Sequence, residues 1–308
     1  MVETLKVEER IEKKVPVEKP VSLGKIMVAT DFSPVSRRAL DYAVSLARRF
    51  GSRIYLTNVI TFAGHLVWET ADVPVPTTED LRSGAEKNAK EIVDSGCFYG
   101  VPHEVIVEEG ALWPTLGTLI EKHGIDLLVL GTHGMSGALK VVFGSCAEEI
   151  FRHARIPVLT VGPAITEEAP FEAEFKNILC ATAFGPAAER EAAFAYALAQ
   201  EHRARLVLLH VARRPDELFE VDDEVERESV GRRLQELLPT GDKPLCKVEY
   251  EVAHGEPVPE ILNVARAMRA DLIVIGAKKR ESLAGHMPFT KAFGVVRGAH
   301  CPVLTIKS

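Results

Sequence analysis

Two short segments of the 308-residue chain carry residue types suited to binding a phosphate-bearing ligand. The first, Thr30–Pro34 (TDFSP), follows an apolar run, and the second is Gly131–Gly134 (GTHG), which precedes Gly144-Ser145 by nine residues. Glycines let the backbone approach a phosphate closely, and the N-terminus of a helix attracts an anion through its free N–H groups and its dipole. The spacing therefore predicts a phosphate cradle made by a loop at a strand end and the start of a helix.

Several better-known sites are excluded by the sequence. It contains neither the GxxxxGK[ST] loop of P-loop proteins nor the GxGxxG of dinucleotide-binding folds. It also lacks the HxGH and SGGxDS strings that nucleotidyltransferases and ATP pyrophosphatases would need. The five cysteines are scattered, with no CxxC pair, so neither a zinc site nor a thioredoxin-type motif is expected. We assign no catalytic residue, and slow hydrolysis of the phosphate-bearing ligand stays open.

The chain is a tandem duplication. Residues 26–60 align without gaps with residues 178–212, sharing the Ala-Thr-x-Phe-x-Pro pattern at positions 29–34 and 181–186. Two later pairs follow the same order: the segment DLLVLG at 126–131 with DLIVIG at 271–276, and PVLT at 157–160 with PVLT at 302–305. Repeats of this kind indicate two copies of one structural unit.

Each copy alternates short apolar runs with amphipathic stretches, which predicts a doubly wound parallel sheet. In the first copy we expect strands at 26–30, 53–60, 103–108, 126–130 and 157–161. We expect helices that begin at Pro34, with Ser33 as cap and Gly51 as stop, and further helices at about 79–97, 112–123 and 145–153. The edge strands near Pro157–Val161 and Pro302–Ile306 are expected to pair, because an exposed sheet edge needs covering.

The predicted organisation has four parts. Residues 1–24 form a charged mobile tail, 25–163 a first domain, 164–175 a linker rich in Glu and Pro, and 176–308 a second domain. The net charge of −7 argues against a nucleic-acid partner, and no apolar run is long enough for a membrane span. Scattered free thiols are typical of a reducing cytoplasm. A homodimer in addition to the internal pairing stays open.

The GxxG–x9–G[ST] pattern after an apolar strand, together with the Asp of ATDFSP, resembles the universal stress protein family. The resemblance covers both halves and implies two five-stranded α/β domains, Rossmann-like and similar to the adenine nucleotide α-hydrolases. The motif marks the ATP-binding subset of that family, so the resemblance implies ATP as ligand, with Mg²⁺ as an accompanying ion. Asp31, beside Thr30, and Val59 would lie by the adenosine portion. The residues that would line the ribose and phosphates are Gly131, His133, Gly134, Gly144, Ser145 and Cys146.

The second copy departs from this pattern. Asp31 aligns with Ala183, the pair His133-Gly134 with Lys278-Lys279, and Gly144-Ser145 with Phe289-Thr290. A non-glycine residue forced into a left-handed conformation costs about 1–2 kcal/mol. Two such costs amount to about a hundredfold in affinity. We therefore predict that only the first copy binds ATP in the family manner.

Plainer readings exist for several of these residues. Asp31 could support the start of the following helix, although Gly185-Pro186 is expected to open the corresponding helix without it. Ser145 and Glu148 match a capping box, a role that is compatible with phosphate contact. His133 has the chemistry of a general base but no nearby nucleophile pattern. Cys146 is expected to be a small, partly buried residue.

Three functions are compatible with these features. The first is a nucleotide-binding stress-response module in which copy two is a structural partner. The second is an enzyme of the wider adenine-nucleotide α/β superfamily, and the third is an interaction protein for which nucleotide is incidental.

Overall fold

The structure is a computed structural model that describes residues 23–61, 77–132, 145–162, 164–165, 174–212, 223–239, 245–277 and 291–307. Within each half, the described strands and helices alternate. The elements of the first half are β1 (Lys25–Ala29), α1 (Pro34–Phe50), β2 (Arg53–Ile60), α2 (Thr78–Asp94), β3 (His103–Glu109), α3 (Leu112–His123), β4 (Leu127–Gly131), α4 (Ser145–His153) and β5 (Val158–Val161). Those of the second half are β6 (Asn177–Ala181), α5 (Ala188–His202), β7 (Arg205–Ala212), α6 (Asp223–Glu236), β8 (Lys247–His254), α7 (Pro257–Ala267), β9 (Leu272–Ala277), α8 (Lys291–Gly298) and β10 (Val303–Lys307).

The ten strands form one continuous sheet in the order β3-β2-β1-β4-β5-β10-β9-β6-β7-β8. Within each half the strands are parallel, in the 3-2-1-4-5 order of a doubly wound unit. The two halves join where β5 and β10 pair antiparallel, with Leu159 opposite Leu304 at the centre. The predicted fold class and the predicted pairing of the two edge strands are therefore confirmed.

Helices cover both faces of the sheet, which buries its inner strands on both sides, while β3 and β8 stay partly exposed. One face packs against α1, α2, α5 and α6, and the other against α3, α4, α7 and α8. Each of the two core clusters includes buried residues of both halves. Parallel strands covered on both faces are expected to be near-continuously apolar, as β1, β4, β6 and β9 are.

The local sequence explains the bounds of α1. Ser33 caps its start by accepting a hydrogen bond from the N–H of Ser36, and Pro34 occupies the first helical position. Gly51 ends it in a left-handed conformation, with φ of 66°. The apolar residues at the i, i+3, i+4 and i+7 positions of this helix are all buried: Ala39, Tyr42, Ala43 and Leu46.

The corresponding start of α5 differs from the prediction. The helix begins at Ala188 rather than at Pro186, and its cap residue Ala187 makes no side-chain hydrogen bond. The reason is that Gly185 stands where α1 has the capping hydroxyl of Ser33. A proline at this point does not by itself open the helix.

The segment predicted as a linker is anchored at both described ends. Ile165 and Phe175 are 1% and 2% exposed and belong to the core on the α1 and α5 face. Arg38 of α1 donates a hydrogen bond to the carbonyl of Ile165. The proposed domain boundaries therefore fall beside residues that pack between the halves, and residues 1–22 and most of the linker lie outside the described ranges.

Candidate functional site

The described members of the predicted site meet at one edge of the sheet. β1 lies between β2 and β4, with Ala29 opposite both Thr57 and Leu130. Because the strands are parallel, the segments that follow β1, β2 and β4 emerge side by side at their carboxyl ends. Thr30 and Asp31 follow β1, whereas Val59 is the last residue but one of β2 and Gly131 the last residue of β4.

Thr30 is buried and is engaged within the protein. Its hydroxyl oxygen accepts a hydrogen bond of 2.9 Å from the N–H of Phe32 and lies 3.1 Å from the hydroxyl of Ser36. Its carbonyl accepts a bond of 2.8 Å from the side-chain amide of Asn58. Thr30 therefore fixes the exit of the chain from β1, and its side chain faces α1.

Asp31 is half-buried, and one of its carboxylate oxygens accepts a hydrogen bond of 3.0 Å from the N–H of Ser33. The next residue, Phe32, has φ of 65°, a left-handed conformation that is uncommon for a bulky residue. Asp31 thus supports the start of α1, as the plainer interpretation expected. We expected α5 to open at Pro186 without an equivalent of Asp31. Because α5 starts two residues later, it gives no evidence that the helix can begin at this point without Asp31.

Val59 lies near the end of β2, opposite Glu108 of β3, and is half-buried. Its side chain packs against the core on the face that carries α3 and α4. The position offers an apolar surface beside the carboxyl edge, on the face opposite to the hydroxyl of Thr30. Its contact with an adenine base remains a prediction.

Gly131 ends β4, and its role is steric. A Cβ at this position would lie 2.9 Å from the carbonyl carbon of Val35 and 3.0 Å from the nitrogen of Ser36. Its φ is not among the positive values, so left-handed freedom is not what requires glycine here. The missing side chain lets the first turn of α1 close against β4, and contact with a ligand remains a prediction.

The described part of the predicted phosphate cradle is the helix α4, which begins at Ser145, as expected. In a doubly wound unit a helix that follows a parallel strand starts at the carboxyl edge of the sheet, so its N–H groups face that edge. The predicted residues His133, Gly134 and Gly144 lie outside the described residues, as do the side chains of Ser145 and Cys146. The side chain of Glu148 accepts a hydrogen bond of 2.9 Å from Arg152, and its capping contact with Ser145 remains a prediction.

The equivalent edge of the second half is built differently. Phe184 repeats the left-handed conformation of Phe32, with φ of 52°, but Ala183 carries no carboxylate. The ring of His210 lies 4.6 Å from that of Phe184 and bonds the carbonyl of Thr182 through Nδ1, the role that Asn58 plays in the first half. The guanidinium of Arg233 lies 4.0 Å above the ring of Phe184.

Sequence reasoning missed two residues of this region, Ser36 and Asn58. Both bond Thr30, from α1 and from β2 respectively. The hydroxyl-bearing residues at positions 30, 33 and 36 were a signal, because they stand three apart around the start of a helix. Asn58 had no comparable signal, since its partner is a backbone carbonyl of a neighbouring strand.

Two thiols of the described region are deeply buried. Burial raises the pKa of the Cys301 thiol to about 12 and that of Cys180 well above its ordinary value, so both are protonated at neutral pH. Among the described residues no group of three or more His, Cys, Asp or Glu side chains could hold a metal ion. None of the helices in this part of the chain is both long and apolar enough to cross a membrane.

Both halves of the chain match the same protein family. The sequence profile described as "Universal stress protein family" matches residues 23–162 and again residues 174–307. A universal stress protein of Methanocaldococcus jannaschii is 28% identical over 137 residues, which are 44% of this chain and 81% of that protein.

Solved structures extend the likeness to the fold. The crystal structure of a universal stress protein from Archaeoglobus fulgidus covers 92% of this chain and 98% of its own, with 18% identity and a TM-score of 0.65. A universal stress protein solved in complex with cAMP covers 43% of this chain and 97% of its own, with 17% identity and a TM-score of 0.36. That ligand belongs to that protein.

Proposed function

We propose that this chain, which belongs to the universal stress protein family, binds ATP in its first half and acts as a nucleotide-dependent stress-response module. The observation that carries the proposal is the meeting of Asp31, Val59 and the start of α4 at one carboxyl edge of the sheet. Open parallel sheets bind ligands at this edge, where the strand order reverses around β1 and β4.

The residues present fit an adenine nucleotide in their chemistry. The carboxylate of Asp31 carries two acceptor oxygens, a chemistry that suits the hydroxyl groups of a ribose. The half-buried side chain of Val59 suits an aromatic base, and the N-terminus of α4 suits phosphate. The predicted residues His133, Gly134 and Gly144, with Ser145 and Cys146, would complete the cradle, and Mg²⁺ would neutralise phosphate charge when bound.

We assign the second half a structural role. It lacks the carboxylate of Asp31 at Ala183. At the corresponding edge, the ring of Phe184 contacts the tilted ring of His210 and the guanidinium of Arg233. Its strand β10 covers β5, so the first half presents no open edge on that side. The second half thus supplies within one chain the partner that a single domain would need from another molecule.

The thiols support a proposal for the cellular setting. The described cysteines Cys97, Cys180, Cys246 and Cys301 are free, and free thiols persist in a reducing compartment. We therefore propose a cytoplasmic location. We also propose an adenine nucleotide as the small-molecule partner, and no nucleic-acid or membrane partner.

Mass spectrometry of the ligand released from freshly purified full-length protein tests the proposal. An adenine nucleotide should be released, and added ATP should raise the melting temperature. Asp31→Ala should weaken ATP binding about tenfold or more, because a hydrogen bond to a charged group is worth about 1.5–3 kcal/mol. Asp94→Ala removes the same group from the exposed end of α2 and is the matched control. The proposal fails if no nucleotide is released and ATP leaves the melting temperature unchanged.

A further inference from the structure

Three buried hydroxyl groups form a cluster behind the Asp31 loop. They belong to Thr30, Ser33 and Ser36, which are 8%, 3% and 3% exposed, and we call them the hydroxyl cluster. Buried hydroxyl groups are tolerated when they are hydrogen-bonded, and in this cluster every one is.

Ser36 is the centre of the cluster. Its hydroxyl donates to the carbonyl of Ser33 at 3.0 Å and accepts from the hydroxyl of Ser33 at 3.3 Å. The hydroxyl of Thr30 lies 3.1 Å away and, with the Ser36 proton already donated, is the donor in that pair. One side chain on α1 therefore holds the residue before and the residue after the pair Asp31-Phe32.

This arrangement links Ser36 to the Asp31 carboxylate in two ways. Ser33, which Ser36 fixes, donates its N–H to Oδ1 of Asp31. Thr30, which Ser36 also contacts, accepts from the N–H of Phe32, the residue held in the left-handed conformation. The orientation of the carboxylate at the carboxyl edge thus depends on a network that has its centre inside the protein.

The second half shows what the loop looks like without the cluster. The left-handed Phe184 is retained, and its N–H still bonds the hydroxyl of Thr182, at 3.3 Å. Gly185 and Ala188 stand where the first half has Ser33 and Ser36, and Ala183 where it has Asp31. The turn therefore forms without the two serines, and the serines are absent from the half that has no carboxylate to orient.

We infer that Ser36 is a positioning residue for nucleotide binding, which acts through Asp31 and does not contact the ligand. This inference rests on the proposed function of the first half. A hydrogen-bonded serine is buried at a place where the duplicated half folds with alanine, so the fold alone does not require it. Ser36 thus holds the Asp31 carboxylate in place before the nucleotide binds, which lowers the entropic cost of ordering that side chain on binding.

The test is ATP affinity, measured by calorimetric titration of the full chain. Ser36→Ala installs the residue found in the second half and should weaken ATP binding about fivefold to tenfold. The control is Ser52→Ala, which also removes a buried serine hydroxyl and also installs the residue of the second half, Ala204. Ser52 bonds the carbonyl of Leu23 at the opposite edge of the sheet, so its loss should leave ATP affinity unchanged.

A double-mutant cycle separates positioning from a general structural effect. In the Asp31→Ala background, Ser36→Ala should cause no further loss of affinity, because the group it orients is gone. The inference is overturned if Ser36→Ala binds ATP as tightly as wild type, or if the two losses are independent and multiply. Should Ser36→Ala fail to unfold cooperatively, Ser33→Gly, which matches Gly185, gives the same comparison. Absence of binding by the wild-type chain would instead overturn the proposed function itself, and the inference with it.

Discussion

At the level of single residues, two buried threonines lie at the seam between the halves. Thr160 of β5 and Thr305 of β10 are 0% and 4% exposed, and among the described residues neither hydroxyl has a partner. They are related by the duplication and lie opposite Val303 and Val158. An unsatisfied buried hydroxyl costs about 1–3 kcal/mol, so the seam is less stable than its apolar packing allows.

Thr160→Val is therefore expected to raise the free energy of unfolding by about 1 kcal/mol, because it replaces the unpaired hydroxyl by a methyl group of similar size. Urea denaturation of the full chain measures the change. Thr30→Val is the matched control, since the Thr30 hydroxyl is bonded on two sides and its loss should destabilise the protein. A Thr160→Val variant that unfolds at lower urea than wild type would show that the hydroxyl is satisfied in solution.

Residue roles were only partly predictable from the sequence. The apolar face of α1 followed from periodicity, because that pattern reports burial directly. The steric role of Gly131 against Val35 and the left-handed Phe32 could not be predicted, since both depend on how α1 meets β4. Asp31 shows the limit most clearly: its bond to Ser33 appears only in three dimensions, and its contact with a nucleotide remains a prediction.

At the level of elements, the two copies end the same helix with different residues. The C-cap residue that follows α1 is Gly51, with φ of 66°, and the one that follows α5 is Arg203, with φ of 50°. Both residues are left-handed, and both backbone N–H groups bond carbonyls of the last turn. Glycine adopts this conformation freely, whereas a residue with a Cβ pays about 1–2 kcal/mol.

Arg203→Gly should consequently stabilise the chain by about 0.5–1 kcal/mol, after allowance for the greater freedom of glycine in the unfolded state. The reciprocal change, Gly51→Ala, should destabilise it by a similar amount. Chemical denaturation of both variants tests the pair. Equal stabilities for Arg203→Gly and wild type would mean that α5 ends in another conformation in solution.

Element bounds were predictable where local chemistry decides them. The observed bounds of β2, α3 and α4 match the predicted 53–60, 112–123 and 145–153, because apolar runs and stop residues such as Gly124 mark them. The start of α2 moved to Thr78, where Thr77 and Asp80 form a capping box that the prediction overlooked. The prediction for α5 relied on Pro186 and overlooked the preceding residue, Gly185, which has no hydroxyl group to cap the helix.

At the level of the whole molecule, the duplication was sufficient to predict the pairing of β5 with β10, because each unit ends on an edge strand that needs covering. The duplication could not predict how the ends of α1 and α5 pack together beside Phe175, at the start of the second half. There the ring of His202, the last residue of α5, lies 6.2 Å from that of Phe50 and 5.0 Å from that of Phe175. Both its ring nitrogens are buried, and neither has a partner among the described residues.

This histidine should lower the free energy of unfolding in acid. Burial, with a smaller contribution from Arg49 and an opposing one from Glu174, lowers the pKa of His202 from 6.5 to about 4. Between these two pKa values the unfolded chain binds a proton at His202 that the folded chain does not. The free energy of unfolding is therefore unaffected by this proton above about pH 6.5 and decreases as the pH falls towards 4.

The measurement is the free energy of unfolding at about pH 7.5 and about pH 5. His202→Leu should narrow the difference between the two values, because leucine cannot bind a proton and fits between the two phenyl rings. A variant with the same pH dependence as wild type would place the acid sensitivity elsewhere in the chain.

The asymmetry between the halves is the claim on which the functional account depends, and the stoichiometry of ATP binding to the full chain tests it most directly. Calorimetric titration should give one nucleotide per chain. Binding should be strongly weakened by Asp31→Ala and unaffected by Arg233→Ala at the corresponding edge of the second half. Two equivalent sites per chain, or binding that survives Asp31→Ala and is lost with Arg233→Ala, would contradict the account.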